Sequence, residues 1–293
     1  MNHEPRTVNE SKDGNMEFWF TERQTEDLGL SLRVRESLLV EQTPFQRLAV
    51  LDTYLYGRVL VLDGAIQTTE RDEFVYHEMI THVPLITHPH PQEVLVIGGG
   101  DGGTVREIVK HPGVKHVRLV EIDGRVVAAA RRFLPSLSQA LDEPRAEVII
   151  ADGAEYVRAI HGACDVIIVD STDPVGPAVK LFGADFYRAV HDALTPEGLF
   201  VAQSKSPYLD RGLIREVLGF VRTLFPVALL YTAAIPTYPS GFWSFVLGSK
   251  MHHPLAFDER RAEKLETLYY SPEIHRAAFI LPRQIRGDLI QGE

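Results

Sequence analysis

The run Val94-Leu-Val-Ile-Gly-Gly-Gly-Asp-Gly-Gly103 decides the fold. Four consecutive apolar residues suit a strand buried on both faces. The glycines behind them let the backbone turn and approach a ligand closely just before a helix begins. The same grammar recurs downstream. Val117-Arg-Leu-Val120 ends in Glu121, Glu147-Val-Ile-Ile150 is followed by Asp152, and Val166-Ile-Ile-Val169 ends in Asp170. Helical segments fall between these strands, over Thr104–Lys110, Arg125–Phe133 and Ala154–His161. Short buried strands alternating with helices specify an α/β fold with a Rossmann-like, doubly wound parallel sheet. The last fifty residues are harder to read, although Trp243–Leu247 has the character of a late strand.

Upstream the period changes. Leu30-Ser-Leu-Arg-Val-Arg35 and Gln46-Arg-Leu-Ala-Val-Leu51 alternate apolar and polar residues, as strands of a half-exposed antiparallel sheet do. Gly57 and Asp63-Gly64 mark turns. From Asp72 to His82 the spacing is helical, with Phe74, Val75, Met79 and Ile80 on one face, Asp72 as the expected cap, and Pro84 with His88-Pro-His-Pro91 as the expected boundary. The expected organisation is a flexible polar leader over 1–15, a small N-terminal antiparallel β-domain over 16–71, and the Rossmann-like domain over 72–293.

Composition narrows the function classes. Hydrophobic residues at 45% and charged residues at 24% describe a globular chain, which excludes disordered and fibrous classes. No apolar run reaches the ~18 residues of a membrane span, so no membrane partner is expected. Forty acidic against thirty basic residues, without a basic stripe, argue against nucleic acid. The single cysteine, Cys164, cannot make an intrachain disulfide and reads as buried filler in a reducing, cytoplasmic protein.

Ligands of open parallel sheets bind outside the carboxyl ends of the strands. There the sequence places the glycine loop with Gly98 and Gly100, then Glu121, Asp152 and Asp170. An acid about twenty residues past such a loop accepts hydrogen bonds from ribose hydroxyls, which suits Glu121. Asp152 suits either an adenine amino group or the cap of the following helix, and the two roles are compatible. Asp101, inside the loop, would repel the pyrophosphate of a dinucleotide or the carboxylate of S-adenosylmethionine. It favours a nucleoside thioether whose chain carries only an amine, pointing to decarboxylated S-adenosylmethionine. Asp170-Ser-Thr-Asp173 adds two carboxylates in a proline-shaped loop. With Tyr76 and Tyr238 as apolar walls, this set fits an organic polycation better than a hard cation such as Mg²⁺. No metal site is expected: His77 and His82 miss the i, i+4 spacing of zinc helices, and His252-His253 offer no usable geometry.

Together these residues resemble the polyamine aminopropyltransferases, with bacterial spermidine synthases nearest. The resemblance rests on Glu41-Gln-Thr-Pro-Phe-Gln46, Leu62-Asp-Gly64, Asp72-Glu-Phe-Val-Tyr-His-Glu-Met79, Val96–Gly103, Glu121-Ile-Asp123, Asp152-Gly153, Asp170-Ser-Thr-Asp-Pro-Val-Gly-Pro-Ala178 and Ile235-Pro-Thr-Tyr-Pro-Ser-Gly241, in family order over all but the leader. It implies a methyltransferase-like catalytic domain behind an N-terminal β-domain, assembled as homodimers or homotetramers. It also implies aminopropyl transfer from decarboxylated S-adenosylmethionine, a co-substrate rather than a cofactor, to putrescine. Gln46, Glu121, Asp152, Gly153 and Pro177 match nucleoside-holding positions, and Asp101 matches the acid at the aminopropyl amine. Tyr76, His77, Asp173 and Tyr238 match the acceptor pocket, and Asp170 the proton acceptor. One stretch departs. After Val201-Ala-Gln203, related enzymes often continue with an acid and a tryptophan, where this chain has Ser204-Lys-Ser-Pro-Tyr208.

Overall fold

The alternating segments build an antiparallel sheet of six strands in sequence order: β1 (Thr7–Glu10), β2 (Met16–Arg23), β3 (Gly29–Gln42), β4 (Arg47–Thr53), β5 (Gly57–Leu62) and β6 (Ala65–Thr69). The structure is a computed structural model that describes residues 7–10, 16–172, 176–287 and 289. Strand β1, within the segment expected as a leader, pairs antiparallel with β2.

Helix α1 (Glu73–Thr87) then leads into the second sheet. Its strands and helices follow as β7 (Glu93–Gly98), α2 (Gly103–Ile108), β8 (His116–Glu121), α3 (Gly124–Phe133), α4 (Pro135–Ser138), β9 (Ala146–Ile150), α5 (Gly153–Arg158), β10 (Cys164–Asp170), α6 (Ala184–Ala193), β11 (Leu194–Gln203), α7 (Arg211–Leu224), β12 (Val227–Ala234) and β13 (Phe242–Ser249). The sheet order is β12-β13-β11-β10-β7-β8-β9. Strands β11, β10, β7, β8 and β9 run parallel, while β13 is antiparallel to β11 and β12. The order reverses at β7, between β8 and β10, which opens a crevice at their carboxyl ends. The Val94–Ile97 run is essentially inaccessible, with side chains entering a core on each face of the sheet. Leu48, Val50, Leu60 and Leu62 of the N-terminal sheet pack on Val126, Ala129 and Leu134 around α3, so that sheet borders the crevice. Among the described residues no helix is long and apolar enough to cross a membrane.

Two local expectations are corrected. Pro84 lies inside α1, which runs on to Thr87. Only one backbone N–H is lost there, and apolar residues up to Ile86 remain buried, so packing outweighs the break. Asp72 occupies the N-cap position of α1 without a side-chain cap bond. Its carboxylate instead accepts from Thr69 Oγ1 at 2.7 Å and from the Thr237 amide and hydroxyl at 3.0 and 2.8 Å. A cap serves one helix, whereas this arrangement ties β6, α1 and the chain after β12 together. Cys164 is buried as expected, and burial pushes its thiol up to about 11.

Glu78 makes a second such tie. Buried on α1, it accepts the backbone N–H groups of Leu268, Tyr269 and Tyr270 at 2.8, 2.8 and 2.7 Å. Glu78→Gln exchanges one acceptor oxygen for a donor that faces those N–H groups. We expect it to lower the unfolding free energy by about 2–3 kcal/mol in denaturant titrations at fixed protein concentration.

Candidate active site

The crevice at the strand ends is one cavity. It is lined by Gln46, Tyr76, His77, Gly98–Asp101, Glu121, Asp152, Gly153, Asp170 and Tyr238. Apart from Asp173 and Pro177, every residue that the sequence singled out for the site therefore lines this one cavity. Asp173 lies outside the described residues, and Pro177 is placed only by its backbone, in the 3-10 turn Gly176–Leu181.

The glycine loop is required by its neighbours. Gly98 has φ of +84°, and a Cβ there would strike the Asp170 carbonyl oxygen on the adjoining strand. A Cβ on Gly103 would strike the His77 ring, so α2 starts close against α1. Strand β10 delivers Asp170 beside this loop, where its two oxygens receive different donors. Tyr76 of α1 donates its phenol to Oδ1 at 2.6 Å, and Thr104 of α2 donates its hydroxyl to Oδ2 at 2.6 Å. Burial and the nearby Asp101 charge push the Asp170 carboxyl above its ordinary value, against the opposing pull of His77 and the two hydroxyls. Burial beside Asp170 likewise raises the Tyr76 phenol well above its usual range, so it remains a donor.

Asp101 and His77 are linked to a buried ion chain. Asp101 Oδ1 accepts the Gly103 N–H at 2.8 Å and lies 3.4 Å from His77 Nε2. The other ring nitrogen meets Glu73 Oε2 at 2.5 Å, and Arg106 grips both Glu73 oxygens at 2.8 Å. Burial alone would lower the imidazole, but the flanking Asp101 and Glu73 carboxylates raise it well above its usual value. His77 therefore stands as an imidazolium between two acids.

The other arm of the cavity holds Glu121 and Asp152. Glu121, at the end of β8, accepts the Gly100 N–H at 3.2 Å and the Asp123 N–H at 2.9 Å. Burial, with the Asp123 and Asp170 charges, raises its carboxyl to about 7. Asp152 caps α5 through Oδ1, accepting from Ala154 and Glu155 at 2.9 and 3.3 Å. Its Oδ2 pairs with Lys180 Nζ at 3.1 Å. Burial pushes that carboxyl up, but Lys180 and the two helix N–H groups outweigh it and hold it below the ordinary value. Gln46 reaches in from the turn between β3 and β4 and donates to Asp123 Oδ2 at 3.0 Å. That oxygen also accepts from Thr43 Oγ1 at 2.7 Å.

Aromatic rings wall the remaining side. Tyr76 and Tyr238 are 5.6 Å apart between centroids, Tyr238 meets Trp243 at 4.8 Å, and the Tyr238 hydroxyl donates to Gln67 O at 2.5 Å. The sequence reading missed Thr104, Glu73, Arg106, Glu22, Gln67, Gln203 and Trp243. Thr104 had a visible signal, being a hydroxyl in the first helical turn after the glycine loop. Glu22, on β2, and Gln67, on β6, had none, because only the packing of the N-terminal sheet brings them to the cavity. In the departing stretch, Lys205 sits at φ of +64° with its ammonium 3.1 Å from Asp210 and does not line the cavity.

From β3 to β13, both sheets fall within segments that match known protein families. Residues 73–259 match the family described as "Spermine/spermidine synthase domain", and residues 18–70 match "Spermidine synthase tetramerisation domain". The chain is 54% identical over 271 residues to a polyamine aminopropyltransferase of Thermoanaerobacter sp. (strain X514), covering 92% of this chain and 98% of the relative. It is 57% identical over 264 residues to one from Moorella thermoacetica, covering 90% and 93%. Its fold superposes on the crystal structure of spermidine synthase from Thermotoga maritima with a TM-score of 0.89 at 42% identity, covering 92% of this chain and 94% of that one. A spermidine synthase solved with the transition state analogue AdoDATO gives 0.91 at the same identity and coverage. Agreement at this level over both matched domains places the chain in the spermine/spermidine synthase family, the polyamine aminopropyltransferases.

Proposed function

We propose that this chain transfers the aminopropyl group of decarboxylated S-adenosylmethionine to putrescine, giving spermidine and 5'-methylthioadenosine. The observation that carries the proposal is the division of one cavity into two chemical halves. Glu121, with the glycine loop, offers acceptors for a nucleoside. Asp101, Asp170, Tyr76 and Tyr238 offer acids and aromatic walls for a primary amine chain. We assign Gln46, Gly98, Gly100, Glu121, Asp152, Gly153 and Pro177 to the nucleoside. Asp101 we assign to the aminopropyl amine, and Tyr76, His77, Asp173 and Tyr238 to the acceptor.

The chemistry follows from the charges. A primary ammonium, with a pKa near ~10, has no lone pair and must lose a proton before it attacks carbon. Asp170 is the base we assign, and its raised carboxyl suits that task, because a base works best with a pKa closer to the working pH. The hydroxyls of Tyr76 and Thr104 each occupy one lone pair of an oxygen that has two, so they orient the carboxylate and leave room for the amine proton. The nitrogen then bonds to the methylene carbon as the carbon–sulfur bond breaks, and the sulfonium leaves as a neutral thioether. No cofactor and no acid on sulfur are needed. Positioning the two reactants can supply roughly 7–11 kcal/mol of the barrier at best. The matched tetramerisation domain supports assembly as a homodimer or homotetramer, and the single buried cysteine supports a cytoplasmic setting.

Asp170→Asn should leave methylthioadenosine binding nearly intact while turnover falls by a factor on the order of 10²–10⁴. Turnover within threefold of the parent removes Asp170 as the base. Initial rates over a panel of amines should favour putrescine over cadaverine, agmatine, propylamine and spermidine. Calorimetry with both donors should show tighter binding of decarboxylated S-adenosylmethionine than of the carboxylated form, and the reverse order would assign the cavity to methyl transfer.

Glu121 adds a pH signature. A carboxyl raised to about 7 is protonated below that pH and then accepts poorly from ribose hydroxyls. Methylthioadenosine should therefore bind more tightly as pH rises from about 6 to 8. In Glu121→Gln, binding should be weaker and that pH dependence absent.

A further inference from the structure

The end of α1 remote from the cavity meets two other segments in a cluster of metal-ligating side chains. His88 follows the last residue of α1, Glu197 lies near the start of β11, and His252 follows β13. One donor atom from each residue lies within 4.8 Å of the other two. The His88 and His252 rings meet edge to face at 5.4 Å, and His252 Nε2 is 3.2 Å from Glu197 Oε2. A second observation is independent of this proximity. His88 is only 4% exposed, its Nδ1 accepts the His90 N–H at 3.2 Å, and its buried Nε2 has no hydrogen-bond partner among the described residues. Buried polar atoms almost always have partners, so an orphan nitrogen on an imidazole that meets another imidazole and a carboxylate calls for a ligand.

We propose that His88, His252 and Glu197 form a binding site for one divalent transition-metal ion of the zinc class, completed by water. Two imidazole nitrogens and a carboxylate oxygen are a donor set zinc accepts readily, whereas Mg²⁺ favours oxygen ligands in octahedral array. Tetrahedral zinc, with bonds of about 2.0–2.1 Å, places its ligand atoms about 3.3 Å apart, so the cluster must contract modestly. Glu197 is exposed and His252 partly so, which lets them close on the buried His88. Coordination at His88 Nε2 leaves the ring proton on Nδ1, and the contact from the His90 N–H opens in exchange. The ion joins the end of α1, the start of β11 and the chain leaving β13. Eleven residues of helical rise separate His88 from His77, about 17 Å, so the site lies apart from the cavity and its role is to hold these segments together. It stands independently of the aminopropyl-transfer proposal.

The test uses the full chain, stripped with EDTA, desalted and titrated calorimetrically with ZnCl₂. The parent should bind one ion per chain, with X-ray absorption showing nitrogen and oxygen ligands and a rise in thermal midpoint. His252→Ala should lose affinity by more than the roughly 10–100-fold expected for loss of a merely supporting partner. His88→Gln should do the same. Because His252 is on the surface, His252→Ala remains informative if His88→Gln fails to fold. Absence of zinc binding, binding unchanged in His252→Ala, or Mg²⁺ binding as tight as Zn²⁺ overturns the proposal.

Discussion

Several carboxylates must stay close together in a cleft that excludes much of the water, and the architecture of this protein is organised around that demand. Asp101, Glu121 and Asp170 share one cavity, and Glu73 stands directly behind it. Removing an anion from water is unfavourable unless cations and hydrogen-bond donors replace the solvent. The chain Arg106–Glu73–His77–Asp101 supplies alternating charge from α2 and α1, and Tyr76 and Thr104 hold Asp170 from the same two helices. The close packing of α1 against α2, with only hydrogen on Gly103 to let His77 pass, is what makes this compensation possible.

The parallel half of the fold was legible because its strands are buried on both faces and therefore read as unbroken apolar runs. Val94–Ile97 and Val166–Val169 could hardly be anything else. The acids at the strand ends were legible for a related reason, since an acid after such a run marks where the strand leaves the core. The His88-Pro-His-Pro91 stretch marks the end of α1, but the passage of the helix through Pro84 was not legible. Proline is a strong local signal for a break, but the burial of residues on both sides of Pro84 overrides it. The Asp72 bonds to Thr237 were equally hidden, because the partner lies 165 positions away in the chain.

The same distinction separates the two kinds of site residue. Residues whose place at the cavity depends on their own segment, such as Gly98, Glu121 and Asp170, were legible from local pattern and from family resemblance. Residues whose roles depend on packing between segments were not. Glu73 and Arg106 sit on different helices and meet only because α1 and α2 pack together. The histidine cluster is an extreme case, since His88, Glu197 and His252 come from three distant stretches, none with a metal-ligand spacing of its own.

The pair formed by Lys180 and Asp152 has a consequence for how the cavity fills. Asp152 Oδ2 is already engaged by a cation from the protein itself, and both side chains are partly open to solvent. One lone pair of that oxygen stays open, so a guest donor can bind beside Lys180 rather than in its place. The ammonium already offsets the negative charge at this end of an otherwise acidic cleft, which makes it the place where a neutral donor such as an aromatic amino group is accepted without drawing in a second cation.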